Sequence, residues 1–341
     1  MVTATATLGG TASSVKVGRL AHGLMNMTWT PTPAPDEQCF EAIKAAVDAL
    51  PPGVKMVLNS GEFYAQDWGT GNLQLLSRFY AKYPEYAEKT FLSVKGGVKN
   101  RGPDCSIENL RASIDNIQSA LGPIKKVDLF EPARVDSRIP IEKQMENLVT
   151  LLKEGKFDHI GLSECNADTL RRAHAVYPVT AAEIEVSPWS YDENQKKVIE
   201  TSKELGISIM AYSPLGRGFL TGQIKSSSDI PDGDARKTLT RFKTDEIMKH
   251  NWAIVEALKA ISDQVGCTPA QLCLAWVASL GPHVIPLPGS AKASRILENL
   301  EAGDLELSSA DLAKVNAIIE TAEIKGDRYY GLTDEEAHLW R

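Results

Sequence analysis

The sequence predicts an α/β fold, a (β/α)8 or TIM barrel in a single domain, and three observations lead to this prediction. Short apolar runs alternate with amphipathic helical segments along nearly the whole chain, and eight such runs can be counted. The length of 341 residues is one that such barrels reach as one domain. The GxGxxG fingerprint of a doubly wound open sheet is absent after the first run, which reads AHGLMNMTW, so the open sheet is the less favoured alternative.

The predicted strands are short and apolar, and helical segments separate most of them. In chain order they are Lys16–Gly23, Lys55–Ser60, Thr90–Lys95, Lys126–Ala133, His159–Ser163, Ala181–Val186, Ser208–Tyr212 and Val284–Leu287. Residues 1–14 are rich in Thr, Ala and Gly and are expected to form a flexible lead-in. The barrel domain is therefore assigned to residues 15–341.

Helices are predicted where apolar side chains recur every three or four residues. The segment from Ile107 to Leu121 follows this pattern after an N-cap at Ser106. Gly155 and Gly206 each follow the end of a further helix.

The segment after the seventh strand breaks the alternation. From Gly216 to about His250 the chain has little apolar periodicity and many polar residues, so a long loop is predicted there, either a functional lid or a disordered segment. Two extra helices, Ser294–Glu301 and Ser309–Thr321, are expected after the eighth strand, followed by the polar and aromatic tail GDRYYGLTDEEAHLWR.

The composition argues against several classes of function. A net charge of −7 argues against non-specific nucleic-acid binding and against a basic membrane-surface protein. No apolar run approaches the roughly 18 to 20 residues of a membrane helix, and the N-terminus lacks the features of a secretory signal. The five cysteines are scattered without a CxxC pair, and the six histidines show no HxxxH spacing. We therefore expect a cytoplasmic protein without a metal site.

Candidate catalytic residues lie where barrel strands end, because barrel active sites form at that face. Lys95 ends an apolar strand, and Tyr64 follows the neighbouring one, so the lysine could lower the pKa of the phenol and make it a proton donor. The alternative from the residues alone is glycoside hydrolysis, since Glu131, Glu183 and Glu185 lie in or at the ends of strands.

Six segments, taken together and in order, resemble the signature motifs of the aldo-keto reductases. They are NSGEFY, FLSVKGG, VDLFEPARVD, HIGLSECN, YSPLGRGFLTG and IPLPGS followed by SRILEN. The resemblance extends from about Val15 to Thr321. It implies a (β/α)8 barrel that binds a nicotinamide cofactor, usually NADPH, without a Rossmann domain.

The resemblance also implies the catalytic roles. Tyr64 would be the general acid and Lys95 would lower its pKa. The usual Asp falls on Asn59 and the usual His on Ala133, so Asn59 would bind Lys95 without neutralising it and Lys95 would depress the Tyr64 pKa more strongly. These two departures resemble the fungal pyridoxal reductase branch, whose members reduce pyridoxal with NADPH.

The resemblance assigns cofactor contacts along the later strand ends. The implied set is Ser163 and Glu183 at the nicotinamide amide, Tyr212 stacked on the nicotinamide, Ser213, Leu215 and Gly218 along the pyrophosphate, and Ser290, Lys292, Arg295, Glu298 and Asn299 at the adenosine end. Glu183 stands where the family usually has Gln. The guanidinium of Arg295 suits a 2′-phosphate and favours NADPH over NADH.

The substrate is expected to be a small aldehyde, and its pocket is predicted from aromatic and basic residues that follow strands. These are Trp29, Trp68, Arg134 and Trp189. Two alternatives to a pyridoxal reductase stay open: a reductase with broad aldehyde specificity, and an NADPH-binding regulatory subunit with little turnover.

Overall fold

The computed structural model describes residues 2–341, and its centre is a barrel of eight parallel strands. The described strands are β1 (Thr5–Thr7), β2 (Lys16–Gly18), β3 (His22–Gly23), β4 (Met56–Gly61), β5 (Thr90–Gly96), β6 (Val98–Lys99), β7 (Gly102–Pro103), β8 (Leu129–Pro132), β9 (His159–Ser163), β10 (Ala181–Glu185), β11 (Ser208–Tyr212) and β12 (Val284–Leu287). The barrel order is β3-β4-β5-β8-β9-β10-β11-β12. Backbone bonds from Ala21 N to Pro286 O and from Gly23 N to Pro288 O, both 2.9 Å, join its two edges. The predicted fold class is confirmed.

Helices surround the barrel and follow most of its strands. They are α1 (Met25–Thr28), α2 (Asp36–Asp48), α3 (Gly71–Lys82), α4 (Ile107–Leu121), α5 (Ile141–Lys153), α6 (Ala167–Val176), α7 (Glu193–Leu205), α8 (Asp245–Val265), α9 (Pro269–Ser279), α10 (Ala293–Glu301) and α11 (Ser309–Thr321). The Ser106 side chain caps α4 by accepting a bond from Asn109 N, as the sequence predicts. Gly206 ends α7 at a φ of 68°, which glycine adopts without steric cost. None of these helices is long and apolar enough to cross a membrane.

The apolar core has two parts, and the smaller one fills the barrel interior. Alternate strand residues point inward, so Val57, Phe91, Leu129 and Met210 form a layer near the N-terminal end of the barrel. The larger core lies between the outer face of the sheet and the helices. The inner layer supports the polar residues that lie above it, toward the C-terminal ends of the strands.

The expected flexible lead-in differs from the structure. Thr5–Thr7 forms β1 and pairs with β2, and Ala6, Leu8 and Ala12 pack on the inner apolar layer. The lead-in therefore closes the N-terminal end of the barrel, because that end would otherwise expose an apolar interior to water.

Two other sequence predictions are corrected. The predicted first strand, Lys16–Gly23, is split: β2 belongs to the hairpin that closes the barrel, and only β3 enters the barrel sheet. The predicted loop after the seventh strand ends earlier, because α8 begins at Asp245. Short 3-10 turns occupy much of that loop, which is anchored by apolar side chains that are almost fully buried, namely Ile230, Leu239 and Phe242.

The C-terminal tail, residues 322–341, crosses the face where the barrel strands end. Asn251 of α8 exchanges two hydrogen bonds with the backbone of Lys325, at 2.8 and 3.0 Å. Further along, Trp340 N donates to Glu164 O at 2.8 Å. The tail therefore covers part of the surface on which the predicted active site lies.

Candidate active site

The sequence-predicted catalytic residues converge above the inner apolar layer. Asn59 and Lys95 point inward because they lie two and four residues after Val57 and Phe91, which also face the interior. Tyr64 follows β4 in a tight turn whose Gly61 has no room for a side chain, since an added Cβ would lie 2.9 Å from the Tyr64 ring. The structure therefore brings all three predicted catalytic residues together.

Lys95 lies in a buried group of polar side chains that we call the lysine cluster: Asn59, Tyr64, Lys95, Glu131 and Glu183. The Lys95 ammonium donates to both Glu183 oxygens at 2.6 Å and to Asn59 Oδ1 at 2.8 Å. Glu131 is farther, at 3.5 Å. The Tyr64 ring centroid lies 5.6 Å from Lys95 Nζ.

Burial and charge set the acidities in this cluster. Burial raises the pKa of Tyr64 to about 12; the ammonium of Lys95 opposes this change and the carboxylate of Glu183 adds to it. Burial would by itself lower the pKa of Lys95, but Glu183, Tyr64 and Glu131 outweigh that effect and raise it. Burial, followed by the charge of Glu183, raises the pKa of Glu131 well above its ordinary value. Tyr64 is therefore a protonated phenol at neutral pH.

One expectation about this cluster needs correction, and another stays a prediction. The resemblance implies that Glu183 contacts the nicotinamide amide, and this contact stays a prediction; within the protein, the Glu183 carboxylate is bonded to Lys95 and to Asn59 Nδ2, the latter at 2.7 Å. The absence of an acid at position 59 was expected to leave Lys95 without a neutralising partner. Glu183 is that partner, and burial, the largest influence, together with the charge of Glu183 raises the pKa of Tyr64, whereas we expected Lys95 to depress it.

An aromatic wall adjoins Tyr64 and includes two of the predicted substrate residues. The Trp29 ring lies 5.8 Å from the Tyr64 ring and 5.2 Å from the Trp68 ring, between centroids. Phe63 stacks on Trp68 at 5.9 Å. Trp68 is 40% exposed, so this wall reaches from Tyr64 to the solvent.

The other predicted substrate residues lie elsewhere. Trp189 is 5% exposed and stacks on Phe219 at 4.9 Å, with the Arg241 guanidinium over its ring, so packing beneath the loop after β11 occupies its surface. Arg134 points toward the tail, where it donates to the Tyr329 hydroxyl at 3.3 Å. A strand-end position does not by itself determine which way such long side chains turn.

A second polar group lies under the C-terminal tail, and we call it the arginine cluster: Arg134, Arg217, Arg328, Glu164, Glu185, Tyr212 and Tyr329. Arg328 donates to Glu164 and to Glu185, each at 2.9 Å. The Tyr329 hydroxyl bonds to the Tyr212 hydroxyl at 2.7 Å. The tail thus contacts the side chain that was predicted to stack on a nicotinamide ring.

The arginine cluster has more cations than carboxylates. Burial would raise the pKa of Glu185, but the guanidiniums of Arg328 and Arg217 outweigh it and lower that pKa. Arg217 Nη2, Arg328 Nη1 and Glu164 Oε2 are buried and have no hydrogen-bond partner within residues 2–341. These atoms can bind polar groups of a ligand.

The predicted cofactor residues follow the last four barrel strands. Ser163 ends β9 in a buried position, and Ser213, Leu215 and Gly218 belong to the turns after β11. Gly218 has a φ of 92°, a conformation that favours glycine.

The residues predicted at the adenosine end lie after β12 and on α10. Lys292 and Arg295 are exposed, and Arg295 donates to Gln223 of the loop after β11 at 2.9 Å. Glu298 accepts a bond from Thr268 at 2.9 Å, whereas Ser290 and Asn299 are buried. The residues predicted at the adenosine end therefore lie on the segment after β12 and on α10, and Arg295 links α10 to the loop after β11.

Sequence reasoning missed six polar members of these clusters or gave them no role in the final assignment. Glu131 and Glu185 were noted only as possible glycosidase acids, and no role was given to Glu164, Arg217 or the tail residues Arg328 and Tyr329. The available signals were a charged residue at an inward strand position and a tail that combines arginine with tyrosine. Neither signal shows which side chain on another strand each of these residues contacts.

Comparison with known proteins identifies the family. A sequence model of the aldo/keto reductase family matches residues 19–320. The chain belongs to the aldo/keto reductase family. It is accordingly an oxidoreductase that acts on carbonyl or alcohol groups, and members of this family generally use nicotinamide cofactors.

Individual relatives in this family agree with the resemblance seen in the motifs. A Schizosaccharomyces pombe protein named "Probable pyridoxal reductase 2" is 35% identical over 321 residues, covering 92% of this chain and 95% of its own length. A Saccharomyces cerevisiae protein with a pyridoxal reductase name is 36% identical over 331 residues, covering 90% and 94%. The structure of the glycerol dehydrogenase of Gluconobacter oxydans shares the fold, with a TM-score of 0.77, 19% identity, and coverage of 96% and 99%.

Proposed function

We propose that this aldo/keto reductase uses NADPH to reduce the aldehyde of pyridoxal to the alcohol of pyridoxine, with Tyr64 as the general acid. The observation that carries the proposal is the position of Tyr64, beside Lys95 and at the base of the wall formed by Trp29, Phe63 and Trp68. Aromatic walls with a few polar groups suit a flat heteroaromatic aldehyde. The name of the Schizosaccharomyces pombe relative supports the same substrate.

The reaction adds a hydride to the carbonyl carbon and a proton to the carbonyl oxygen. NADPH, when bound, supplies the hydride. Tyr64 donates the proton, and its pKa of about 12 keeps that proton in place at neutral pH. The Lys95 ammonium stabilises the phenolate that Tyr64 becomes. Trp29 and Trp68 hold the substrate ring and exclude water from the reacting atoms.

The residues present fit a nicotinamide dinucleotide phosphate. The unpartnered Arg217 Nη2 is suited to a phosphate oxygen, and the unpartnered Glu164 Oε2, next to Ser163, is suited to the amide N–H of a nicotinamide. Lys292 and Arg295 are exposed cations that can bind a 2′-phosphate. This charge favours NADPH over NADH.

The direct test measures cofactor oxidation by the purified full-length protein. Reactions contain NADPH or NADH together with pyridoxal, a small aliphatic aldehyde or no aldehyde, and the alcohol is identified by chromatography. We expect pyridoxine from pyridoxal, faster with NADPH than with NADH. Equal kcat/KM for both aldehydes would favour the alternative of a reductase with broad specificity. Cofactor binding without turnover would contradict the proposal and favour a regulatory subunit.

A pair of tryptophan variants tests the substrate pocket. Trp29→Ala removes part of the aromatic wall and should raise the KM for pyridoxal more than the KM for the aliphatic aldehyde. Trp189→Ala is the matched control, because its ring packs on Phe219 away from the wall and should lower stability without changing the ratio of the two KM values. Equal KM changes in the Trp29 variant would remove this residue from the pocket.

A further inference from the structure

The lysine cluster has an arrangement of charge that the signature motifs do not indicate. A neutral amide, Asn59, stands where the motif pattern has an acid, and an acid, Glu183, stands where it usually has Gln. The structure puts these two positions in contact, with Asn59 Nδ2 donating to Glu183 Oε2 at 2.7 Å. Two of the three departures from the pattern, at positions 59 and 183, therefore meet at one point in the barrel, 124 residues apart in the chain.

We propose that Glu183 is a positioning residue for the reaction: its carboxylate neutralises Lys95 and orients it beside Tyr64, so that the negative charge of the site comes from β10 and not from position 59. The proposal rests on the proposed function insofar as Tyr64 is the acid. Its structural basis is the 2.6 Å contact between Lys95 Nζ and each Glu183 oxygen.

The amide of Asn59 is matched to this arrangement. Its oxygen accepts from Lys95 at 2.8 Å, and its nitrogen donates to Glu183. An aspartate at position 59 would bring a second carboxylate to about the same distance from Glu183, and two like charges in contact within a buried site repel strongly. Glu183 is therefore compatible with the amide of Asn59, whereas it would not be compatible with a carboxylate at that position.

Glu131 does not take over the role of Glu183. It is 3.5 Å from the ammonium, and its Oε2 has no hydrogen-bond partner in the described chain. One ammonium cannot compensate two buried carboxylates at these distances, and burial raises the pKa of Glu131 well above its usual value. Glu183, which contacts Lys95 Nζ with both oxygens at 2.6 Å, is thus the principal partner of the ammonium.

The groups facing the Tyr64 hydroxyl are Lys95 from β5, Glu131 from β8 and Glu183 from β10. Burial is the largest influence on the pKa of Tyr64, Lys95 lowers it and Glu183 raises it. Removing the charge of Glu183 leaves only the more distant Glu131 to oppose the ammonium, so the pKa of Tyr64 should fall. Restoring a carboxylate at position 59 should raise it again.

The experiment follows the ionisation of Tyr64 by NMR of full-length protein carrying ¹³C at the tyrosine Cζ, with the signal assigned from Tyr64→Phe. In Glu183→Gln we expect the midpoint to move down by about one to two pH units. In the double variant Asn59→Asp/Glu183→Gln it should return toward the wild-type value. Glu185→Gln is the matched control, because this carboxylate lies on the same strand but binds Arg328, and it should leave the midpoint unmoved.

Several results would overturn the proposal. One is a titration midpoint of Tyr64 that is unchanged in Glu183→Gln. Another is a midpoint in the double variant that stays as far from the wild-type value as in the single variant. If Glu183→Gln fails to fold, the double variant must fold, because it restores a carboxylate next to Lys95, and its failure would overturn the proposal as well.

The measurement is separate from the proposed function. The titration does not depend on turnover, so a protein that shows these shifts but leaves pyridoxal unreduced would retain the role of Glu183 and lose the pyridoxal assignment. With an active enzyme, the alkaline decrease of kcat should move to lower pH in Glu183→Gln and back in the double variant. A purely structural role for Glu183 would not restore the pH profile in this way.

Discussion

The lysine cluster and the arginine cluster each contain two buried glutamates, and the pKa of one glutamate in each, Glu131 and Glu185, is shifted in opposite directions. In the lysine cluster one ammonium serves both, and the pKa of Glu131 is raised by burial and by the charge of Glu183. In the arginine cluster Arg328 binds Glu164 and Glu185 at 2.9 Å, and the surrounding guanidiniums lower the pKa of Glu185 despite its burial. The same side chain at the same depth thus has a raised pKa in one place and a lowered pKa in the other.

The difference shows that the number of nearby cations, and not the degree of burial, decides whether the pKa of a buried carboxylate is raised or lowered. Glu131 and Glu185 are each 1% exposed, so desolvation penalises both. The excess of carboxylate around Lys95 suits a site that holds a proton. The excess of guanidinium under the tail suits a site that holds an anion.

The largest expected effect compares the tyrosines of the two clusters. Tyr64→Phe should reduce kcat for carbonyl reduction by about 10²–10⁴-fold, because general acid catalysis contributes about that much. Tyr329→Phe removes a hydrogen bond to Tyr212, worth about 0.5–1.5 kcal/mol, and should change kcat by no more than about tenfold. Steady-state kinetics on both variants, with cofactor affinity measured by fluorescence, tests this contrast. A Tyr64→Phe enzyme with more than half the wild-type kcat would exclude Tyr64 as the acid.

The second prediction concerns stability. Glu185→Gln leaves Arg328 with an incomplete partner and should lower the free energy of unfolding at neutral pH by about 3–5 kcal/mol, as for other broken buried pairs. Glu131→Gln should cost less, because burial and the charge of Glu183 raise the pKa of Glu131 and so favour its neutral form, which the amide resembles. Urea unfolding of both variants and wild type provides the comparison.

The pH dependence of these two variants should have opposite signs. The folded pKa of Glu185 is lowered, so its contribution to stability is present above the unfolded pKa and is lost as the pH falls through the folded value. The folded pKa of Glu131 is raised, so its contribution is present below the unfolded pKa and is lost as the pH rises. The loss of unfolding free energy caused by Glu185→Gln should therefore become smaller as the pH falls. The unfolding free energy of Glu131→Gln should rise relative to that of wild type as the pH rises. Parallel pH profiles would contradict the contrast between the clusters.

The smallest expected effect distinguishes geometry from charge. Arg328→Lys keeps the charge but cannot reach Glu164 and Glu185 with a planar fork, so we expect a loss of about 1.5–3 kcal/mol in unfolding free energy and faster hydrogen exchange in the tail. Arg172→Lys is the control, because Arg172 binds Glu142 in water at the surface and its replacement should leave both measurements unchanged. An Arg328→Lys protein with the tail exchange of wild type would mean that charge alone holds the tail.

Much of the barrel was predictable, because local patterns carry the information. The helix from Ile107 to Leu121 and its Ser106 cap appear as predicted, since periodicity and capping are properties of adjacent residues. The division of Lys16–Gly23 between two sheets was not predictable. Nothing local distinguishes a strand that enters the barrel from one that closes its end.

The sequence by itself determined that Lys95 lies at the end of one strand and Tyr64 shortly after the neighbouring one, and that three motif positions, 59, 133 and 183, are unusual. Only the tertiary structure decided that Glu183 neutralises Lys95, because the two residues are 88 positions apart and meet across the barrel interior. The same holds for the lead-in that closes one end and for the tail that places Arg328 and Tyr329 over the other. Strand pattern specifies which way a side chain points within its own strand, whereas the partner it meets depends on barrel closure, which brings distant strands into one buried volume.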